Sequence, residues 1–204
     1  MHRGQRQRLA IASPVVLERA VEAHHSIGRL LLNNARNVSD VSIGDLFTIP
    51  VDDQRRSVGQ VVGEYRSALY VIIFDRIFGA DQDPSLQLED LTGSQPLFAR
   101  LIFDSRFRPG MWEIIGHAAA DSERYLSAFT YGAAELDGVK ITDFSGSKVR
   151  RATGPESKEV PRRAIDSPLI LEKAIQAHHG IGRWLPAFEE VRYRPGIASA
   201  ELFD

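Results

Sequence analysis

The chain carries one 21-residue segment twice, and this repeat sets the first limit on its fold. The copies run from Ile11 to Leu31 and from Ile165 to Leu185, and they agree without a gap at 13 positions. Chance does not produce such agreement, so the segment is a duplicated element. Two distant copies do not form a solenoid, whose units follow one another every roughly 20 to 50 residues. We therefore expect the copies to flank a domain that lies between them.

Each copy has the pattern of a short amphipathic helix. Ser13 and Ser167 stand at the capping position, and a proline that suits a first helical turn follows each of them. Apolar residues then recur at helical spacing, and Gly28 and Gly182 stand where a helix commonly ends. We expect each helix either to dock on the domain between the copies or to pack against the other copy.

Each copy also contains two adjacent histidines, His24 and His25 in the first and His178 and His179 in the second. A histidine in the last helical turn meets the negative end of the helix dipole and can bond to free carbonyls, so a structural role explains its placement. Adjacent helical residues point about 100° apart and do not easily chelate one ion. The alternative is a metal site where both helices converge. We expect no cofactor.

The composition is that of a soluble globular protein with room for one substantial core. Of its 204 residues, 43% are hydrophobic and 25% are charged. A net charge of −2 argues against a general nucleic-acid binder and against a membrane-surface protein, because both roles need a basic field. The absence of cysteine excludes disulfides and thiolate chemistry. No signal-peptide pattern or membrane-spanning apolar run is present, so we expect a cytoplasmic protein.

Between the copies, short apolar segments alternate with polar turns. These segments predict a short helix at 83–91 and strands at 44–51, 57–65, 68–75, 95–103, 111–116, 125–131 and 139–144. The continuously apolar stretch 69–74 is typical of a central strand that is buried on both faces. Residues 145–163 are predicted to be an exposed connector, and residues 189–204 an irregular tail. The pattern predicts an α+β protein with a mostly antiparallel β-sheet or small barrel core, flanked by two duplicated helices.

The chain accordingly divides into three parts. Residues 1–37 are an N-terminal arm with the first copy of the repeated helix, and residues 42–150 are the β domain. Residues 151–204 are a linker, the second copy and the C-terminal tail. A helix present at both ends would let one chain offer its N-terminal copy to a neighbour. A homodimer through the N-terminal helix is therefore one hypothesis.

Several short motifs follow one another in a fixed order in the β domain. They are Gly-Asp-Leu-Phe-Thr-Ile-Pro at 44–50, Gly-Gln-Val at 59–61, Phe-Asp at 74–75, Pro-Leu-Phe at 96–98 and Gly-Met-Trp-Glu-Ile-Ile-Gly at 110–116. With this order and spacing, residues 42–150 resemble the immunity protein 26 family of bacterial polymorphic-toxin systems. The resemblance implies a mostly β domain that binds a cognate toxin effector and blocks it without catalysis. Some proteins that look like this family carry a phosphotriesterase label, so a hydrolase stays open as the alternative.

Several polar or aromatic residues of this region are candidate contacts for the toxin. They are Gln60, Asp75, Asp83, Glu89, Asp90 and Trp112. A structural interpretation stands beside each of them. Gln60 and Asp75 can make internal hydrogen bonds, Trp112 can be a core residue with its indole N–H bonded, and the acids can be a solvated face. An inhibitor of a nuclease often presents acids that mimic nucleic acid, which connects an acidic patch with toxin inhibition.

The hydrolase alternative needs a nucleophile with a base, or a metal ion that activates water. Its candidate catalytic residues are His117 with Asp104 or Asp121, which share one acid-rich span. A metal-dependent form would use the four histidines of the repeat. The chain has no Gly-x-Ser-x-Gly elbow and no glycine-rich phosphate loop. An acidic concave surface would favour toxin binding, a His/Asp pocket would favour catalysis, and a basic stripe would favour nucleic acid.

Overall fold

A six-stranded mixed sheet forms the centre of the fold. The structure is a computed structural model that describes residues 41–79, 81–82, 94–107, 111–133 and 138–203, which belong to one unit. The strands of the sheet are β1 (Asp45–Pro50), β2 (Arg55–Tyr65), β3 (Ala68–Gly79), β4 (Pro96–Ile102), β5 (Ile114–His117) and β9 (Ile165–Asp166). Their order is β5-β1-β2-β3-β4-β9, and only β4 and β9 run parallel to each other.

A smaller antiparallel sheet and several short helices complete the part of the chain that is described. The small sheet consists of β6 (Phe129–Tyr131), β7 (Lys140–Thr142) and β8 (Val149–Arg151). The helices are α1 (Ser122–Tyr125), α2 (Glu156–Glu159), α3 (Leu169–His178), α4 (Ser199–Phe203) and a 3-10 helix at Pro186–Val191.

Strand β3 lies in the middle of the large sheet and is buried on both faces, which confirms the prediction from its apolar sequence. Because successive side chains of a strand point to opposite faces, Val71 and Ile73 enter one core, and Tyr70 and Ile72 enter another. The first core is closed by α3 and the 3-10 helix, and the second by the small sheet and α1. The large sheet is therefore the middle layer of the fold.

A bulge interrupts the pairing of β3 with β2. Ser57 pairs with Ile77, whereas Gly59 pairs with Ile73, so three residues of β3 stand opposite one residue of β2. Asp75 is in the middle of these three and is exposed, although the strand before it is buried. The Ser57 hydroxyl donates to the Phe74 carbonyl at 3.2 Å and satisfies a group that the bulge frees from the ladder. The bulge thus turns an acidic residue outward from a central strand.

The second copy of the repeat forms helix α3 and docks on the large sheet, as expected for one of the two predicted arrangements. Leu171, Ala174 and Ile175 are fully buried in the core that contains Val71 and Ile73. At the start of the helix, the Ser167 hydroxyl accepts a hydrogen bond from the Leu169 N–H at 3.4 Å. The first copy lies outside the described residues, so its structure and the predicted packing of the two copies stay predictions.

Helix α3 ends earlier than the sequence pattern predicts. Its last residue is His178, and the following residue with positive φ is Gly180 rather than the predicted Gly182. The N–H groups of Gly180 and Ile181 donate to the carbonyls of Ala177 and Gln176, at 3.2 and 2.8 Å. This pair of reversed bonds is a Schellman motif, which satisfies the free carbonyls at the end of a helix. Both histidines therefore stand at the helix terminus.

Arg163 fastens the small sheet to the large one. Its guanidinium lies 3.9 Å from the ring centre of Tyr65 in β2 and 4.7 Å from that of Phe129 in β6. The same group donates two hydrogen bonds of 2.8 Å, to the carbonyls of Asp143 and Phe144. Burial lowers the pKa of this arginine, so the contacts compensate a real desolvation cost. Its planar shape lets one side chain make all of them.

Several predictions about the fold need correction. The small barrel is wrong, because in the described residues the large sheet is open, with β5 and β9 at its edges. The predicted strand at 125–131 splits into the end of α1 and strand β6, since Asp121 caps a helical turn by accepting from the Arg124 N–H. The predicted connector at 145–163 contains β8 and α2, and the predicted irregular tail contains α4. The predicted helix at 83–91 lies outside the described residues.

Candidate functional site

An acidic cleft of about 360 Å³ opens beside β1, β2, β3 and β5. Three carboxylates line it, from Asp53 in the β1–β2 turn, Asp81 after β3 and Glu113 before β5. Arg56, the basic residue in the lining, pairs with Glu113 at 3.2 Å, and both side chains are about half exposed. The buried Phe78 forms an apolar part of the wall. Counted over the described residues, the cleft therefore has an excess of negative charge.

The β1–β2 turn that presents Asp53 is fixed by its neighbour Asp52. The Asp52 carboxylate accepts from the N–H groups of Gln54 and Arg55 at 2.9 and 2.7 Å, which confirms the predicted polar turn. The same carboxylate pairs with the Arg55 side chain at 2.7 Å. The backbone hydrogen bond from Gln54 and the side-chain bond from Arg55 lower the pKa of Asp52. Asp53 is left exposed at the rim of the cleft.

Two of the candidate contact residues are buried. Gln60 is 1% exposed, and its side-chain amide donates to the carbonyls of Ala118 and Gly44, at 2.9 and 3.4 Å. Trp112 is 1% exposed and stacks on Phe47 with a ring separation of 5.2 Å. The burial of both side chains agrees with their structural interpretation, and a role of either residue in toxin contact stays a prediction. The expected bond of the indole N–H is not formed, since Nε1 of Trp112 has no partner among the described residues.

Of the acidic residues among the candidate toxin contacts, the one that the structure describes does not line the acidic cleft. Asp75 is exposed on the bulge of β3, away from the lining of the acidic cleft. Asp83, Glu89 and Asp90 lie outside the described residues, and Asp81 is the last described acid before them. A role of these residues in partner contact stays a prediction. Sequence reasoning did not single out Asp53 and Glu113, since a cleft that joins a turn to a distant strand requires the register of the sheet.

The candidate catalytic histidine has a different acidic partner from the two that were predicted. His117 Nδ1 lies 3.0 Å from Asp45 Oδ1, across the pairing of β5 with β1. Asp45 is largely buried and also accepts from the Ser42 N–H at 2.7 Å, so it is held in place. Asp121 caps α1 instead, and no ion pair or hydrogen bond joins Asp104 to His117 in the described part of the chain. The sequence missed Asp45 because register alone brings it to His117.

The two histidines at the end of α3 lie close to Asp75, a candidate toxin contact on β3. Ligand atoms of Asp75, His178 and His179 all lie within 4.8 Å of one another. His178 Nε2 lies 3.6 Å from Asp75 Oδ1, and its ring stands edge-on to that of His179 at 4.9 Å. The expected bonds of these rings to free helix carbonyls are not formed in the described structure. His24 and His25 lie outside the described residues, so a metal site between the two copies stays a prediction.

The environment of His179 favours its neutral form. Burial lowers the pKa of its imidazole, and the neighbouring His178 lowers it further. The Asp75 carboxylate acts in the opposite direction, and the positive charge of Arg55 acts in the same direction as burial. The Nε2 atom of His179 is buried and has no hydrogen-bond partner in the described residues. A neutral imidazole with a free nitrogen is the form that binds metal ions.

A basic cavity of about 530 Å³ lies elsewhere, next to α2 and the segment before β9. Among the described residues, its lining includes the side chains of Arg100, Lys158, Arg162, Arg163 and Arg194 and one acid, Glu190. Most of these charged groups already bond to other parts of the protein. Arg100 pairs with Asp166 at 2.5 Å, and the three other arginines donate to backbone carbonyls. The arginines that line this cavity are therefore structural, because their bonds hold the segment before β9 to the rest of the fold.

Residues 42–135 match the model of the family Immunity protein 26. This part of the chain, slightly less than half of it, is similar to the immunity protein 26 family. The family is described as one of immunity proteins. The immunity protein 26 segment contains the acidic cleft, Asp75 and the His117–Asp45 pair, whereas α3 lies beyond it. No curated protein matches the chain significantly, and no solved structure does.

The sequence contains no apolar run that predicts a membrane span, and the lengths of the helices bear on this expectation. None of the helices in the described ranges is long and apolar enough to cross a membrane.

Proposed function

We propose that the immunity protein 26 domain neutralises its cognate toxin by direct binding, without catalysis, and that the acidic cleft is the contact surface. The observation that supports this proposal is the arrangement of Asp53, Asp81 and Glu113 around one concavity. Interfaces of this kind combine an apolar centre with a polar rim. The partly exposed side chain of Ile115 and the exposed carboxylates provide these two parts.

The charge of the cleft indicates the chemistry of the partner. Carboxylates in a concave surface with apolar walls attract a positively charged surface and accelerate its association. A nuclease has such a surface, because it must bind phosphates. We infer that the toxin presents a basic surface, as a nucleic-acid-cleaving enzyme does. The acids Asp83, Glu89 and Asp90 follow Asp81 in the sequence and would extend the acidic surface.

A pull-down and a growth assay test the proposal together. The purified chain is mixed with the product of the adjacent open reading frame, and both are then expressed in one cell. The proposal predicts tight one-to-one binding and rescued growth. A triple substitution in the cleft, D53K/D81K/E113K, should weaken binding at least about tenfold at low salt and reduce the rescue of growth.

The matched control is E123K/E159K/E201K. It makes the same change of charge at exposed acids outside the cleft. This control should bind and rescue like the wild type. Equal losses in both triple variants would show that net charge, and not the cleft, determines binding.

A hydrolase is the second candidate function, and the convergence of Asp75, His178 and His179 is the observation that favours it. Two histidines and a carboxylate are a ligand set that can hold a metal ion and leave a position for water. Turnover of an aryl phosphotriester by the purified chain, lost in H178A, would support this candidate. Wild-type turnover no higher than that of H178A would reject it.

Two further proposals concern location and assembly. A cytoplasmic location fits an inhibitor that protects the producing cell from inside. A homodimer through the N-terminal helix, in residues 1–37, would change to a monomer when residues 1–35 are removed. A monomer mass both before and after this truncation, measured by light scattering, would reject the dimer.

A further inference from the structure

We propose that Asp75, His178 and His179 bind a divalent transition-metal ion of the zinc class. The three residues come from two elements that are distant in sequence and packed together in the fold. The bulge of β3 turns Asp75 outward, and the Schellman turn ends α3 at His178. Both features are irregularities of otherwise regular elements, and together they bring the three side chains to one point.

The spacing of the ligand atoms fits a tetrahedral ion better than it fits a hydrogen bond. Donors held at about 2.1 Å from a tetrahedral zinc lie about 3.4 Å apart. The distance between His178 Nε2 and Asp75 Oδ1 is 3.6 Å, which is longer than a good hydrogen bond and close to that edge. All three donors lie within 4.8 Å of one another, so small side-chain rotations complete the set.

An unpartnered nitrogen gives independent support. Nε2 of His179 is buried and has no hydrogen-bond partner among the described residues. A buried polar atom without a partner costs about 1–3 kcal/mol, so such atoms are usually satisfied in folded proteins. Coordination of an ion by this nitrogen would satisfy it.

The surroundings of the site hold the ligands, and the helix terminus favours positive charge, whereas Arg55 opposes it. Helix α3 is ten residues long, and its C-terminal end carries partial negative charge. The ring of Phe98 stands edge-on to that of His178 at 6.3 Å, which restricts the imidazole from the side of the core. The Gln176 amide donates to the Pro50 carbonyl at 3.4 Å and ties the last turn of the helix to the sheet.

The donor set defines the class of ion. Two imidazoles and one carboxylate suit zinc, cobalt and other first-row metal ions, and they suit calcium and magnesium poorly because these prefer oxygen ligands. Three protein ligands leave one position open. A water molecule or a side chain of a partner protein can occupy that position.

The test is a cobalt(II) titration of the untagged full-length chain after dialysis against a chelator. Tetrahedral cobalt absorbs visible light, so the spectrum reports both binding and geometry. We expect one class of tight site in the wild type, and binding weaker by about tenfold or more in D75N and in H178A/H179A. Asp75 is exposed, so D75N should fold normally, and circular dichroism checks both variants.

The repeat supplies the matched control. H24A/H25A removes the corresponding histidines from the other copy of the repeat and should leave the cobalt spectrum unchanged. Loss of the spectrum in H24A/H25A would show that both copies supply ligands and would overturn the assignment to Asp75. Wild-type protein without the tetrahedral spectrum, or D75N with unchanged affinity, would overturn it as well. The readout is independent of toxin binding, so the two proposals can fail separately.

Discussion

Replacement of Leu171 by alanine should destabilise the whole described unit, because this side chain anchors helix α3 to the sheet. Leu171 is fully buried and packs in the same core as Ile73 and Phe98. Removing a buried leucine costs about 2–5 kcal/mol, which combines lost hydrophobic transfer with the cavity that remains. Leu171 lies between a helix and a rigid sheet, which cannot easily close the cavity that L171A leaves. We therefore expect the free energy of unfolding to fall by about 3 kcal/mol. For a protein of this size, that corresponds to a fall in Tm of roughly 6–12 °C.

Leu169 is the matched control, since it lies in the same helix and is 39% exposed. L169A should cost less than about 1 kcal/mol, because a large part of its apolar surface already contacts water and no closed cavity would remain. Urea unfolding, followed by tryptophan fluorescence and circular dichroism, measures both variants. L171A should lower the midpoint without a change in m, since the unit unfolds as a whole. Equal effects of L171A and L169A, or a helical signal lost before the rest, would refute the docking of α3 on the sheet.

Three further predictions test other contacts. G59A should cost at least about 2 kcal/mol in urea unfolding, since a Cβ would lie 2.8 Å from a backbone carbonyl oxygen, whereas G154A, with open space around it, should be neutral. Hydrogen bonds from Arg150 lower the pKa of Glu156 to about 2. The ion pair of Glu156 with Arg150 therefore contributes fully to stability above about pH 4.5, and its contribution disappears as pH falls towards 2. Over that range, E156Q should lose less stability than the wild type. R163K should lower stability by about 1–2 kcal/mol, because an ammonium cannot keep both carbonyl bonds and both ring contacts, and an unchanged Tm would contradict this.

Strands were predictable where apolar pattern and turn chemistry agreed. The apolar run around Ile72 predicted a central strand, and the polar residues between apolar segments predicted turns such as the one between β1 and β2, because both signals are local. Arrangement in space was not predictable from such signals. The open sheet, with the short β9 parallel to β4 at one edge, depends on a pairing across more than sixty residues. A pattern of short strands fits a barrel and an open sheet equally well.

The candidate sites show the same limit. The sequence singled out His117, His178 and His179, and in each case the acidic neighbour was missed or given another role. Asp45 meets His117 through the register of β1 and β5, and Asp75 meets the histidines through a bulge. Neither register nor bulge leaves a clear mark in a single sequence. Residue types were therefore predictable, whereas their partners required the fold.

The dissociation constant of the complex between this chain and its cognate toxin, measured for the wild type and for D53K/D81K/E113K, tests the central claim most directly. Our account predicts that the cleft variant binds at least about tenfold more weakly at low salt, and that this difference shrinks as salt rises, because charge attraction is screened. The control E123K/E159K/E201K should bind like the wild type. Wild-type affinity in the cleft variant at low salt would contradict the acidic cleft as the toxin-contact surface.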